Sequence, residues 1–428
     1  MMSPVFLRRV LLKNYKSIAN CSVRLGPLNF LVGPNGAGKS NFLDALRFVT
    51  ESLNTSLDHA LRERGGIAEV RRRSSGHPTH FGVRLEFSLP SGGSGHYAFR
   101  VGALPKGGFE VQHEECRIHV GALFGGSKGP GPEAQQEEHH IHGSTALDTW
   151  FYEVQSGEVI GSHAKVVPAA ASDRLYLVTV SGLPEFRSLY DALSHMGFYN
   201  LNPDEIRDLQ PADAGEILRR DGGNLASVLS LLKTENPEAR QRIVDFLSKV
   251  VPGVLDVSVK HVQKKETLEF RQKVGSNEDP WRFFAENMSD GTLRALGVLT
   301  ALFQSANGAA KRIPLVGIEE PETAVHPGAA GVLRDALRAA ADSTQVLVTS
   351  HSPELLDDKD VSDDWVLAVV SENGETKIGP LNEADRSLVR ERLFTAGELL
   401  KQGSLTPDLE AIRQTPPEQL ELFGKLEA

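Results

Sequence analysis

The first hundred residues alternate between the spacing of strands and the spacing of helices. Residues 5–33 follow a strand-like pattern that ends in the apolar stretch LNFLV (28–32), which is typical of a buried strand. The next stretch, NFLDALRFV (41–49), has apolar residues at helical spacing. Residues 80–89 and 96–104 then predict a hairpin that is closed by PSGGSG. A buried strand joined to a helix by a short turn indicates an α/β fold.

The rest of the chain changes character several times. Residues 204–250 are predicted to be helical, and strand-like and helical segments alternate from residue 255 onward. Residues 121–143 are too rich in Gly, Pro and polar residues to pack a core, which predicts a flexible insertion. We therefore divide the chain into five parts. They are the N-terminal half of an α/β head (1–105), an insertion (106–184), a short helical arm (185–254), the C-terminal half of the head (255–405) and a tail (406–428).

GPNGAGKS, residues 33–40, lies between the first buried strand and the first helix and fits the P-loop pattern G-x-x-x-x-G-K-[ST]. Its glycines allow positive φ and a close approach of the backbone to phosphate oxygens. Lys39 has the charge that the β- and γ-phosphates require, and Ser40 has a hydroxyl for Mg²⁺. The pattern and both flanks therefore favour a nucleotide site over a Gly-rich turn that merely begins a helix.

Composition limits the function classes. A chain of 428 residues with 40% hydrophobic and 24% charged residues is typical of a globular protein of two or three domains. No apolar run reaches the roughly 18 residues that a membrane span needs, and we expect a cytoplasmic protein without a membrane partner. Two cysteines, Cys21 and Cys116, are too few for a disulfide framework. The net charge of −10 argues against general coating of nucleic acid.

Two further predicted strands each end in candidate catalytic side chains. IPLVGI (313–318) is followed by Glu319 and Glu320, and VLVTS (346–350) is followed by His351. Ligands gather at the C-terminal ends of strands in open α/β sheets. One carboxylate can hold Mg²⁺ through water while its neighbour orients the water that attacks a γ-phosphate, and the histidine can hydrogen-bond that phosphate. Taken alone, the acid pair is also typical of a solvated strand end.

Ser289 precedes a predicted helix, in the stretch MSDGTLRALGVLTALF (288–303), whose leucines recur on one side. An N-cap and a core helix are sufficient to explain this pattern. A hydroxyl, a glycine N–H and a helix N-terminus are also what an anion needs, so both interpretations stand at this point.

Taken in order, GPNGAGKS, SDGTLR, IEEPE with HP, and SHS resemble the motifs of ABC-type ATPases of the RecF, SMC and OLD group. NYKSI (14–18) and FYNLNPDEIRDL (198–209) are similar to that group as well. The resemblance covers about residues 1–105 and 185–405, and it implies an ABC-type P-loop ATPase head with a mixed sheet and flanking helices. Two departures concern SDGTL, where transporters have LSGGQ, and Glu319, where Asp is usual.

The resemblance also implies cofactors, partners and roles. ATP and Mg²⁺ would be bound, and two subunits would enclose two ATP molecules in a homodimer. Glu320, Glu319 and His351 would be catalytic, with Glu319 and Ser40 serving the metal and Glu320 orienting the water. Ser289 and Gly291 would touch the γ-phosphate across the dimer. The residues predicted to bind nucleotide are Asn35, Gly36, Ala37, Gly38, Lys39, Ser40, Asn41, Ser289 and Gly291.

The sequence holds no HNH-like metal cluster and no plausible nucleophilic triad, and it ends too early for the nuclease domain that OLD-type relatives often append. We therefore expect an ATP-hydrolysing switch in a DNA-related process. The favoured interpretation is the ATPase subunit of a phage-defence system with a separate effector nuclease. The alternative is a RecF-like DNA repair or loading ATPase, and SDGTL disfavours a transporter.

Three charged stretches have an ordinary explanation beside a chemical one. HHIH (139–142) is typical of a solvated loop, although it could bind a metal. DDKDVSDD (357–364) is typical of a charged linker, although it could belong to a metal-dependent nuclease. RRR (71–73) closes the basic stretch 61–73 and is either a solvated face or a surface for DNA phosphates or a partner.

QLELF (419–423) follows two prolines and resembles the pentapeptide by which bacterial replication and repair proteins bind the sliding clamp. Its Leu and Phe could enter an apolar pocket while the Gln fixes orientation. The alternative is a terminal helix that covers the protein's own core with Leu420, Phe423 and Leu426. The sliding clamp is therefore a candidate partner, together with DNA and an effector nuclease.

Overall fold

The computed structural model describes residues 5–74, 78–89, 92–120, 148–164, 166–275, 279–305 and 312–424. The predicted insertion at 121–143, including HHIH, lies outside the described residues, and so does Leu426. Within the described residues, no helix is long and apolar enough to cross a membrane.

A seven-stranded antiparallel sheet is built mainly from the N-terminal part of the chain, in the order β2-β1-β4-β5-β6-β7-β8. The predicted hairpin is confirmed as the β4–β5 pair. The strands are β1 Leu7–Tyr15, β2 Ile18–Arg24, β4 His80–Ser88, β5 Gly93–Ala103, β6 Phe109–Val120, β7 Asp148–Gln155 and β8 Glu158–Ser162.

A six-stranded mixed sheet lies at the centre of the molecule, in the order β17-β16-β3-β15-β14-β9. Every neighbouring pair is parallel except β16 and β17. The strands are β3 Leu28–Val32, β9 Gly197–Tyr199, β14 Leu315–Glu319, β15 Gln345–Ser350, β16 Val366–Glu372 and β17 Glu375–Pro380. The mixed α/β architecture that the sequence predicts is confirmed.

A smaller antiparallel sheet leads into the segment that carries Ser289. It comprises β10 Gln210–Pro211, β11 Val254–Val262, β12 Lys265–Gln272 and β13 Trp281–Phe284, with β12 paired to the other three. β13 ends only five residues before Ser289, so this sheet fixes where the Ser289 turn begins.

Fourteen helices are assigned within the described residues. They are α1 Lys39–Asn54, α2 Leu57–Arg62, α3 Ile67–Val70, α4 Tyr176–Val180, α5 Pro184–Ser194, α6 Pro203–Arg207, α7 Leu225–Glu235, α8 Pro237–Val250, α9 Asp290–Phe303, α10 Ala330–Ala341, α11 Pro353–Leu356, α12 Glu383–Arg390, α13 Ala396–Lys401 and α14 Leu409–Gln414.

The central sheet separates two apolar cores because successive side chains of a strand point to opposite faces. On β3, Phe30 and Val32 enter the core with α7 to α10, whereas Leu31 enters the core with α1, α5 and the seven-stranded sheet. Both faces are covered, which accounts for the continuous apolar runs that made these strands recognisable in the sequence.

The prediction of helix across 204–250 is wrong for residues 208–224. α6 ends at Arg207, and the chain then forms β10 and an irregular segment before α7. The Gln210 side chain donates to Gly222 O (2.9 Å) and accepts from Ala226 N (2.9 Å), and Gly222 has φ +87°. This long-range bonding and a positive φ exclude a continuous helix.

The C-terminal tail lies against the seven-stranded sheet. Residues 417–420 form a 3-10 turn and residues 421–424 are not helical, so the alternative of a terminal helix is wrong in its form. Leu422 is buried against Gly82. A Cβ added to Gly82 would lie 2.2 Å from Leu422 Cδ1, so the absence of a side chain at Gly82 makes room for Leu422. The Phe423 ring stacks on His113 with 3.8 Å between the ring centroids. The tail thus covers the protein's own sheet, but as an extended segment.

Asp44 of α1 fastens this helix to the segment that follows α2. Arg64 donates to both Asp44 carboxylate oxygens at 2.9 to 3.1 Å, and Tyr15 O–H donates to Oδ2 at 2.8 Å. Lys16 forms a further ion pair with Asp44 at 2.5 Å. Burial on its own would raise the pKa of Asp44, but the bonds and charges of Arg64 and Lys16 outweigh it and hold the pKa well below its usual range.

We predict that Asp44→Asn lowers the free energy of unfolding by about 3 kcal/mol, because it removes one of the two carboxylate partners of the buried Arg64 guanidinium and leaves Glu51 as the other. Because the pKa of Asp44 is lower in the folded than in the unfolded chain, its stabilising contribution is present above about pH 4 and is lost as the pH falls further. Urea unfolding at pH 7 measures the first effect, and repeating it at lower pH measures the second.

Asp58→Asn is the matched control, because Asp58 forms an exposed pair with Arg62 and its loss should change stability by less than about 1 kcal/mol. Equal changes for the two variants would contradict the role given to Asp44.

Candidate nucleotide-binding site

The P-loop depends on glycine at two positions where other strands come close. A Cβ on Gly33 would lie 2.0 Å from Val369 O of β16, and a Cβ on Gly38 would lie 2.0 Å from Thr376 Oγ1 of β17. Gly36 and Gly38 have φ +77° and +104°. The loop is therefore held in a shape that only glycine can adopt, with the start of α1 behind it.

Lys39 is the first residue of α1 and is buried. Its Nζ donates to Gly33 O at 2.8 Å and to Pro34 O at 3.1 Å, so the side chain folds back over the loop. Burial lowers the pKa of Lys39, while the carboxylates of Glu320 and Glu322 raise it. Among the described residues this ammonium bonds neutral carbonyls alone, which leaves its charge available to an anion above the loop.

The other predicted loop residues differ in exposure. Asn35, Gly36 and Ser40 are exposed at the mouth of the loop, whereas Ala37 is buried. The Asn41 amide donates to Ser17 Oγ at 2.6 Å, so this side chain supports the loop from below. Ser17 Oγ in turn bonds Thr376 Oγ1 (2.7 Å), which donates to Ala37 O (2.8 Å). Sequence reasoning missed Thr376 because it lies 339 residues after Ala37 in the chain.

The candidate catalytic residues meet at one edge of the central sheet. β3, β15 and β14 are neighbours, and Glu319 on β14 pairs with Thr349 on β15. Glu320 has φ +44° and donates its N–H to Thr349 O at 2.9 Å. This backbone turns the Glu320 carboxylate toward His351, whose Nδ1 lies 3.3 Å from Glu320 Oε1.

Glu322 is a third acid of this edge that sequence reasoning missed. Its Oε1 accepts from Ser350 Oγ at 2.6 Å and from His351 N at 3.4 Å. Its Oε2 is buried without a hydrogen-bond partner among the described residues. Burial raises the pKa of Glu322. Such a buried oxygen normally has a donor, which fits a site that receives water or another ligand.

Arg294 ties α9 to the same edge. Its guanidinium donates to Leu201 O (2.7 Å), Glu319 O (3.2 Å) and Glu320 O (3.1 Å). Burial lowers the pKa of Arg294, and the neighbouring glutamates raise it. The residue holds the strained backbone of Glu320 from behind.

Ser289 caps α9, as the sequence predicts, by accepting from Thr292 N at 3.3 Å. A Cβ on Gly291 would lie 2.2 Å from Ala324 O, so this glycine packs on the turn after the acid pair. No hydrogen bond or ion pair joins Ser289 or Gly291 to the P-loop within the described part of the chain.

The basic stretch 61–73 is paired with the protein's own groups, which favours the interpretation as an ordinary face. Arg71 donates to Pro78 O at 2.6 Å, and the remaining arginines form the pairs Arg62–Asp58, Arg64–Asp44, Arg64–Glu51, Arg72–Glu375 and Arg73–Glu69.

Four acids of the run 357–364 are likewise paired with arginines, which favours the charged linker over a metal-dependent nuclease. The pairs are Asp358–Arg334, Asp360–Arg392, Asp363–Arg386, Asp363–Arg390 and Asp364–Arg386.

Family comparisons match two parts of the chain. A family described as "AAA ATPase domain" matches residues 6–80, which include the P-loop. A family described as "AAA domain, putative AbiEii toxin, Type IV TA system" matches residues 167–357, which include the Ser289 turn, the acid pair and His351. No curated protein matches the chain by sequence.

Two solved structures resemble about nine tenths of the chain. The Smc head bound to the C-terminal winged-helix domain of ScpA aligns with a TM-score of 0.52 at 14% identity, over 89% of this chain and 99% of that one. An Smc head with an extended coiled coil, bound to the C-terminal domain of ScpA derived from Pyrococcus furiosus, aligns with a TM-score of 0.53 at 11% identity, over 91% and 99%. The fold of this chain is that of an SMC head, which is the ABC-type P-loop ATPase fold. At such low identity the likeness establishes the fold alone.

In this ABC-type head, the sequence located the residues that lie next to the recognisable motifs. Lys39, Glu319, Glu320 and His351 come together at one sheet edge, in line with the prediction. Glu322 had a signal, as the third acid of IEEPE. Arg294 had one as well, as the last residue of SDGTLR, whereas Thr376 had none, since it acts on the carbonyl of Ala37, 339 residues away in the sequence.

Proposed function

We propose that the chain binds and hydrolyses ATP and acts as a nucleotide-gated switch in a DNA-related process. The observation that carries this proposal is the arrangement at the sheet edge, where a P-loop lysine, a glutamate and a histidine follow three neighbouring parallel strands. A strained Glu320 backbone that is held by Thr349 and Arg294 supports a role for its carboxylate.

The residue roles follow from this arrangement. Asn35 to Asn41 would surround the phosphates, and Lys39 would leave its carbonyl partners for the β- and γ-phosphates. Ser40 and Glu319 would hold Mg²⁺, which supplies charge neutralisation for phosphoryl transfer. Glu320 would accept the proton of the attacking water as the bridging P–O bond breaks and ADP departs with the electron pair. His351 would orient the Glu320 carboxylate.

Ser289 and Gly291 would complete the site of a second copy of the chain. This is supported by the SMC-head fold and by the resemblance of SDGTLR to the signature motif of ABC-type ATPases. The turn that Gly291 packs on would then lie at the same interface.

We infer further that the switch serves phage defence through a separate effector nuclease. The description of the matched family, with its putative AbiEii toxin, supports this role over others. A RecF-like repair or loading ATPase is the alternative, supported by the resemblance of the motifs. A nuclease that co-purifies would favour the first function, and specific binding of gapped DNA would favour the second.

The sliding clamp is the partner we propose for QLELF. Leu422 and Phe423 are the residues such a partner would need, and both contact the protein's own sheet at Gly82 and His113. Clamp binding would therefore require the tail to leave the sheet.

We predict that Glu320→Gln retains ATP binding but lowers turnover by about 10²- to 10⁴-fold, because it removes the proton acceptor. Lys39→Ala should instead weaken nucleotide binding, since the phosphates lose their cation. Calorimetry and steady-state phosphate release measure the two quantities. Turnover of Glu320→Gln near wild type, or unchanged ATP affinity of Lys39→Ala, would contradict the assignments.

We predict that two inactive variants restore each other. Ser289→Arg removes the contribution to the partner's ATP, and Lys39→Ala removes a chain's own site, so the mixed dimer has one working site. Phosphate release at several mixing ratios should show recovered activity. If the heterodimer forms and the mixture hydrolyses no ATP at any ratio, the hypothesis that two subunits share each ATP site is wrong.

We predict that a peptide of residues 416–428 binds the bacterial sliding clamp saturably, and that the full chain binds more weakly because its tail is held by the sheet. Fluorescence anisotropy measures both. Peptides with Leu422→Ala and Phe423→Ala are the controls. If both bind the clamp with the same affinity as the parent peptide, QLELF is not a clamp-binding motif.

A further inference from the structure

Arg220 is a cation of the nucleotide site without a role in the proposal above. Its Nη2 donates to Glu319 Oε1 at 3.0 Å. Its backbone carbonyl accepts from Asn200 N at 3.0 Å, which fixes the irregular segment beside the end of β9. The side chain itself is 45% exposed, so the guanidinium can move while its backbone stays in place.

The other cations of the site bond to backbone carbonyls. Lys39 bonds Gly33 and Pro34, and Arg294 bonds the backbone at and beside the acid pair. Among the described residues, Arg220 is the only arginine or lysine that forms an ion pair with Glu319, Glu320 or Glu322. It is therefore the cation that responds directly to any change at Glu319.

Glu319 is bonded to one cation in this structure and is the proposed ligand of a second. Its Oε1 bonds Arg220, and its carboxylate would also hold Mg²⁺ together with Ser40. Two cations at one carboxylate repel each other, so Mg²⁺ would weaken the bond between Glu319 and Arg220. The planar fork of an arginine released from Glu319 matches the oxygens of a triphosphate in geometry and charge.

We propose that Arg220 is a catalytic arginine that exchanges partners. In the nucleotide-free chain it holds Glu319, and in the ATP-bound chain it donates to the γ-phosphate oxygens of the nucleotide in the same subunit. There it neutralises the negative charge of the phosphoryl group during transfer. This inference rests on the proposed ATP-binding function.

The first test compares binding of ATP with binding of ADP. In a Glu320→Gln background that prevents turnover, Arg220→Ala should weaken Mg²⁺–ATP binding about tenfold or more and change ADP binding less than about threefold, because ADP has no γ-phosphate. Arg220→Lys should fall between, since it keeps the charge but not the fork. Calorimetry measures each affinity, and a thermal melt checks the fold of each variant.

Arg219→Ala is the matched control. Arg219 is the adjacent residue, it is 54% exposed, and it pairs with Asp213 at 3.0 Å, away from the three glutamates. Its ATP and ADP affinities and its turnover should stay within about twofold of the parent. In the chain with Glu320 intact, Arg220→Ala should lower turnover about 100-fold or more.

The second test removes the metal. With EDTA in place of Mg²⁺, Glu319 keeps its bond to Arg220, so the difference in ATP affinity between the parent and Arg220→Ala should shrink to less than about threefold. A difference that persists without Mg²⁺ would overturn the exchange.

Equal weakening of ATP and ADP binding, or unchanged ATP affinity and turnover, would show that Arg220 only positions Glu319. These outcomes differ from failure of the proposed function, in which the parent chain neither binds nor hydrolyses ATP. Because the ATP and ADP comparison is a binding measurement, it can be interpreted even if the parent turns over slowly.

Discussion

The candidate site depends on the parallel pairing of three strands. β3, β15 and β14 run side by side with their C-terminal ends at one edge, so that residues about 290 to 320 positions apart in the chain become neighbours. The P-loop, His351 and the acid pair each follow one of these strands. A change of register by one residue in β14 would turn Glu319 to the opposite face of the sheet. The buried apolar runs that specify this register are therefore as necessary to the chemistry as the polar residues.

Around that edge, cations are held mainly by neutral oxygens. Lys39 and Arg294 together donate hydrogen bonds to five backbone carbonyls, and neither forms an ion pair with a carboxylate in the described part of the chain. A buried cation that already had a carboxylate partner would have little to gain from a phosphate. The positive charges of Lys39 and Arg294 are therefore not neutralised by a carboxylate partner in the described part of the chain. Arg220 differs because it bonds a carboxylate, that of Glu319, and because its side chain is half-exposed.

The sequence was sufficient wherever a local pattern determines the structure. The P-loop, the cap at Ser289 and the strands before Glu319 and His351 are each specified within a few residues, and the structure agrees with them. The segment 208–224 could not be predicted because the Gln210 side chain and Gly222 replace helical bonds with longer-range ones. The same holds for Arg220, whose partner Glu319 lies 99 residues away.

The place of β3 in the sheet has a consequence for how the chain folds during synthesis. β3 is among the first strands to be made, yet both of its neighbours, β15 and β16, lie more than 300 residues later. Until β15 (residues 345–350) has been synthesised, β3 has no partner on either side, and the loop that follows it lacks the Val369 and Thr376 contacts that shape it until residue 376 has been added. A new chain therefore carries an apolar, unpaired strand for most of its synthesis, a state in which aggregation competes with folding. The loop at residues 33–40 is thus among the earliest segments to be translated and among the last to reach its final shape.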